Sequence, residues 1–110
     1  MFDMMKMMGK MKEVQQKMKE AQDQLKDIVV EGESGGGMVR ASVNGQKEII
    51  GLDIDEALIN PTDKQMMRDL IIAATNKALQ EADHKSKEHI KKSTEGLIPN
   101  IPGLDLSGLG

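Results

Sequence analysis

The chain has 110 residues and a net charge of −3, with ten methionines, a single aromatic residue (Phe2) and no cysteine. That length holds one domain, and a core of Met, Ile, Leu, Val and Ala is small and soft enough for oligomerisation to be a natural supplement. The composition excludes a disulfide framework, thiolate chemistry and Cys-ligated zinc, argues against a uniformly basic nucleic-acid binder, and offers nothing near the ~20 apolar residues of a membrane span.

The Met-rich opening carries Asp3 and Lys6 and lacks the apolar run of a signal peptide, so a soluble, cytoplasmic protein is expected. Apolar residues then fall at Met4, Met7, Met11, Val14, Met18, Ala21, Leu25 and Ile28, alternating three and four apart. This is the heptad seam of a helix that packs lengthwise on another, and it predicts a helix over 4–27, ~36 Å long. Lys6, Lys10, Lys12, Lys17 and Lys19 crowd its first part, opposing the helix macrodipole, which suggests a use for them other than helix stability.

Residues 28–54 form three short runs rich in β-branched residues, separated by Gly35-Gly36-Gly37 and by Asn44-Gly45-Gln46. Alternation of Val39, Ala41 and Val43, and of Ile50, Leu52 and Ile54, predicts half-buried antiparallel strands, with Asn44-Gly45 as a tight hairpin turn because both residues tolerate positive φ. Gly32-Glu33-Ser34-Gly35-Gly36 fits the G-x-S-x-G nucleophile elbow, but a strand follows where a helix is needed, so a plain turn is expected. The same glycines lack the Lys-Ser/Thr of a phosphate-binding loop.

Asp53, Asp55 and Glu56 read as a solvated strand end rather than a metal site. Asn60-Pro61-Thr62-Asp63 is a helix start, with Asn60 as cap and proline in the first turn, and the helical pattern runs over 61–95. Met67, Leu70, Ile71, Ala74, Ala78 and Ala82 give its proximal half a core-facing stripe, whereas 83–93 is polar nearly all round and is expected to project into solvent. His84 and His89, about 140° apart on a helix, do not form an i, i+4 metal pair. After Gly96, Pro99, Pro102 and the glycines predict a flexible tail over 97–110, with isolated leucines and isoleucines able to dock weakly elsewhere.

The expected architecture is α+β, in the order α-β-β-β-α: a small antiparallel sheet flanked by two long helices, in a single domain over 1–96. If the helices leave the sheet on one side, Lys6, Lys10, Lys12, Lys17 and Lys19 meet Lys85, Lys87, Lys91 and Lys92 at a basic tip. Glu48, Asp53, Asp55, Glu56, Asp63 and Asp69 make the opposite end acidic. A homodimer joined through the sheet would present two such helical arms to a polyanion. With no aromatic stacking platforms, duplex DNA is the expected partner rather than single strands or RNA. No catalytic residues, metal, cofactor, membrane or small-molecule substrate are expected. The alternative is a structural or chaperone-like module that holds proteins on the Met-rich seam.

The chain also resembles the YbaB/EbfC family of nucleoid-associated proteins over nearly its whole length. The likeness rests on the Met-Lys-Gln-rich first helix, the Gly32-Glu33-Ser34-Gly35-Gly36-Gly37-Met38-Val39 turn, Val43-Asn44-Gly45, Asp53-Ile54-Asp55 leading to Leu58, and Leu70-Ile71-Ile72-Ala73-Ala74-Thr75-Asn76-Lys77-Ala78. It implies a small homodimer whose helical arms bind DNA in the bacterial nucleoid and organise it or regulate transcription. The candidate lysines come from the charge argument and not from a family motif.

Overall fold

A computed structural model describes residues 4–95. The expected tail over 97–110 lies outside the described residues, as do residues 1–3. Helix α1 spans Met4–Gln24 and tightens into a 3₁₀ turn at Leu25–Asp27, which Ile28 ends by going extended while its N–H donates to the Leu25 carbonyl at 3.1 Å. Strands β1 (Val29–Ser34), β2 (Val39–Asn44) and β3 (Ile49–Ile54) make an antiparallel sheet in sequence order. Helix α2 (Lys64–Thr94) follows two short 3₁₀ turns, Glu56–Leu58 and Pro61–Asp63. The α-β-β-β-α expectation is met, and the molecule is a rod of 75 × 24 × 16 Å.

The two 3₁₀ turns that lead into α2 are each capped by a side chain, the second as the sequence suggested. The Asp55 carboxylate accepts from the Ala57 N–H at 2.9 Å, and the Asn60 side chain accepts from the Asp63 N–H at 2.9 Å with Pro61 in the first turn. The first cap sets Leu58, almost fully buried, against β2 and α2.

Helix α2 lies on β1 and β2, with Val39, Ala41 and Val43 of the central strand fully buried beneath Ala74, Ala78 and Ala82. The approach is backbone to backbone. A Cβ on Gly32 would collide with the Ala78 nitrogen and sit 2.5 Å from the Ala74 oxygen. Ser34 adds a polar tie, its hydroxyl donating to the Leu70 carbonyl at 2.5 Å. The three glycines after it all take positive φ (62°, 67° and 92°), a turn that side chains resist.

Three expectations need correction. The hairpin turn does not place Asn44 or Gly45 at positive φ; Lys47 takes that conformation at 66°. Asn44 shapes the turn through its side chain, whose carbonyl accepts from the N–H groups of Gln46 (2.9 Å) and Glu48 (3.1 Å). Gly45 is needed for proximity, since its N–H donates to the carbonyls of Leu25 and Ile28, both at 2.9 Å, and a Cβ would fall 2.5 Å from the Leu25 oxygen.

Second, the distal half of α2 is not polar all round. The helix buries every fourth residue in turn: Ala74, Ala78, Ala82, Ser86, Ile90 and Thr94. A four-residue step overshoots a turn by about 40°, so this stripe winds about 200° round the helix, from the sheet to α1. Ser86 and Thr94 tolerate burial because their hydroxyls donate to carbonyls of their own helix, Asp83 at 3.1 Å and Ile90 at 2.8 Å.

Third, β3 is not half-buried throughout. A bulge opposite Ser42 and Val43 makes Ile50 the extra residue and brings Ile49, Leu52 and Ile54 to the side of the sheet that α2 covers elsewhere. Only Ile54 packs against the core; Ile49, Ile50 and Leu52 stay 57%, 52% and 44% exposed.

Candidate nucleic-acid interface

Helix α1 returns antiparallel along the distal part of α2. Leu25 and Ala21 close a second small core with Ile90, with Met18 and Ile28 packed against it. Beside it His89 and Gln24 share a 2.9 Å hydrogen bond between the helices. Helix α2 ends at Thr94, but α1 continues, and every residue from Met4 to Glu13 is exposed. The two basic stretches therefore overlap only in part. Lys85, Lys87, Lys91 and Lys92 flank the paired section of the helices, while Lys6, Lys10 and Lys12 lie on a projecting arm.

At 100° per residue, Lys6, Lys10 and Lys17 lie along one flank of α1 and Lys12 and Lys19 along the other, each about 100° from the methionine seam. Lys26, missed in the sequence reading, repeats the Lys12 and Lys19 interval of seven and was legible from it, although it falls in the 3₁₀ turn.

The nine lysines differ in their partners. Lys87 pairs with Asp83 at 3.0 Å, Lys92 with Glu88 at 3.1 Å, and Lys17 more loosely with Glu20 at 3.9 Å. Among the described residues, Lys10, Lys12, Lys19, Lys85 and Lys91 form no ion pair. Asp83 also takes Lys47 at 2.9 Å, and hydrogen bonds from Lys47 first and Lys87 second hold its carboxyl below the usual aspartate range. Glu88 is likewise held low, chiefly by Lys92. These acids neutralise part of the basic section of α2, whereas Glu13 is the one acid over residues 4–19 of α1.

At the other end, Glu48, Asp53, Asp55, Glu56 and Asp69 are exposed and Asp63 is half-buried. Asp55 and Asp63 take part in turns, Asp63 accepting from the Asn60 amide at 2.8 Å. The solvent side of the sheet carries an Arg40–Glu33 pair at 3.2 Å. His84 lies 3.8 Å from Glu88, away from the inter-helix bond made by His89. No helix among the described residues is long and apolar enough to cross a membrane.

Known proteins give this geometry a context. The model of the YbaB/EbfC DNA-binding family matches residues 1–97. A nucleoid-associated protein of Staphylococcus carnosus (strain TM300) is 48% identical over 79 residues, 72% of this chain and 73% of that protein. A nucleoid-associated protein of Bacillus licheniformis is 49% identical over 76 residues, 69% of each chain. The crystal structure of the uncharacterized protein HP0035 from Helicobacter pylori superimposes with a TM-score of 0.69 at 27% identity, covering 80% of this chain and 92% of that one. The Staphylococcus and Bacillus relatives carry the name of nucleoid-associated proteins, in keeping with the resemblance noted in the sequence. The chain belongs to the YbaB/EbfC DNA-binding family.

Proposed function

We propose that the protein is a homodimer whose helical arms hold duplex DNA through their lysines, with a role in organising the nucleoid or regulating genes in the cytoplasm. The observation that carries this reading is the separation of charge along the rod: Lys10, Lys12 and Lys19 on α1 and Lys85 and Lys91 on distal α2 form no ion pair among the described residues, and exposed acids lie around the sheet. Lysines on helix flanks suit phosphate contacts, which fix position without reading sequence. Dimerisation is supported by β3, an edge strand with unpaired backbone groups and three exposed branched apolar residues, the kind of edge on which chains pair.

A salt-titrated gel shift tests the DNA reading. Replacing Lys10, Lys12, Lys19, Lys85 and Lys91 by Ala should abolish binding that the wild type shows at low salt, and each lost phosphate contact should flatten the log-log salt slope by about 0.9. Replacing the ion-paired Lys87 and Lys92 should cost less. Affinity and slope unchanged in the five-lysine variant overturn the reading. For the dimer, Leu52→Asp should halve the mass in sedimentation equilibrium; equal masses would remove β3 as the joint.

One observation favours the protein-binding alternative: the heptad seam is open at Met4, Met7 and Met11, which are 68%, 48% and 60% exposed. Met7 and Met11→Gln should then abolish capture of unfolded protein without loss of stability. Capture unchanged by the substitutions eliminates that use of the seam.

A further inference from the structure

We propose that the open methionine seam of α1 is the docking site of this chain's own segment 96–110. The seam is one line of residues covered at one end only. Ala21 and Leu25 are buried against Ile90, Val14 and Met18 are half-buried, and Met11, Met7 and Met4 are exposed. The cover stops because α2 stops. Thr94, one turn beyond Ile90, is its last buried residue, and Glu95 leaves the helix with φ −62° and ψ 131°, an extended conformation. Segment 96–110 thus begins where the next uncovered position of the seam begins.

The segment suits the site in reach. In a polyproline II conformation its fifteen residues span about 45 Å, against about 21 Å of helix from Met18 back to Met4. Pro99 and Pro102 favour that conformation, in which every third residue falls on the same edge. Ile98, Ile101 and Leu104 have that interval and form an apolar edge to set along the methionines, whose unbranched side chains adapt to an irregular partner.

Charge selects this occupant over a second copy of the arm. Residues 4–14 hold Lys6, Lys10 and Lys12 against Glu13, so two arms paired seam to seam would set lysine strips beside lysine strips. Segment 96–110 has no lysine or arginine and carries Asp105. Tethering also gives it an effective concentration in the millimolar range, which a weak contact needs. The proposal does not rest on DNA binding.

Because the chain has no cysteine, Ser107→Cys in the full chain takes a single nitroxide label. With methyl-labelled methionine, docking should broaden the Met4, Met7 and Met11 signals and spare Met66 and Met67 at the far end of α2. Adding Ile98, Ile101 and Leu104→Ser should restore the broadened signals. Absent broadening, uniform broadening of all methionines, or broadening that survives the triple substitution each overturn the proposal. So does broadening seen only when nitroxide and isotope are on different copies, which would assign the seam to a partner's segment.

Discussion

Gly32 and Gly9 stand at the two extremes of packing in this molecule. A Cβ on Gly32 would drive into the backbone of α2, whereas one on Gly9 would meet nothing within 4 Å. The body is made by removing side chains from an interface: Gly32 on β1 against Ala74 and Ala78 on α2. The arm keeps large side chains, at a three-and-four spacing, and leaves them uncovered. A seam in the sequence therefore marks a helix that can pack, and the length of the partner decides how much of it does.

The largest effect is expected at the contact of β1 with α2. Gly32→Ala inserts a methyl where backbone must move, and overpacking against backbone belongs at or above the upper end of the usual range, about 3 kcal/mol. Urea unfolding should show that loss as a lowered midpoint. A midpoint within error of the wild type would mean that α2 rides loosely on the sheet.

Next comes the joint between body and arm. Ile90, 3% exposed, is the α2 residue that closes the second core with Ala21 and Leu25. Ile90→Ala should cost about 2–3 kcal/mol, the low end for such truncations, because the interface is narrow and able to collapse. Amide exchange at Met18 to Leu25 should then rise towards the rates of Met4 to Glu13. Met7→Ala, made on the open part of the same seam, should move stability by less than about 0.5 kcal/mol.

How much of this was legible in the sequence depends on what kind of information each feature needs. Helix α1, the capped start at Asn60, the three strands and the Ala74, Ala78 and Ala82 stripe are set by local spacing and turn chemistry, and the sequence displays them. The Asp83–Lys87 and Glu88–Lys92 pairs were also legible, as i, i+4 spacings, although the charge reading pooled these lysines with unpaired ones. The burial of Ser86 and Thr94 was hidden because a hydroxyl counts as polar until its own helix is seen to accept its hydrogen bond. Alternation in β3 neither foretells the bulge that takes Ile50 off the side of Leu52 and Ile54 nor shows whether a helix covers that side, and so Ile50 and Leu52 were expected to be more buried than they are. The Lys47–Asp83 pair depends on α2 passing the hairpin turn, a long-range fact with no local sign.

Gly9→Ala approaches the contrast from the arm. Alanine lowers the cost of helix by up to about 1 kcal/mol at an exposed interior position, and here no neighbour opposes the added methyl. The gain should appear as slower amide exchange between Met4 and Glu13 while the urea midpoint of the body stays fixed. Equal slowing throughout the chain would show that arm and body unfold as one unit.

The smallest effect separates the two regions by pH. Asp83 bridges Lys47 in the hairpin turn and Lys87 one turn further along α2, and both lysines hold its carboxyl below its ordinary range in the folded chain. Its proton is thus released more readily folded than unfolded. The resulting stabilisation is fully present above about pH 4, the ordinary aspartate value, and is lost as pH falls through the lower folded value. The pairs are partly exposed, so the contribution is modest and weakens in salt. The unfolding free energies of the wild type and Asp83→Asn should differ most at neutral pH and converge as pH falls below the ordinary aspartate range. A constant gap would show that Asp83 acts by packing and not by charge. Protection of the arm amides, taken relative to their intrinsic exchange rate at each pH, should follow neither pH nor the substitution, because the bridge ties α2 to the sheet and does not involve α1.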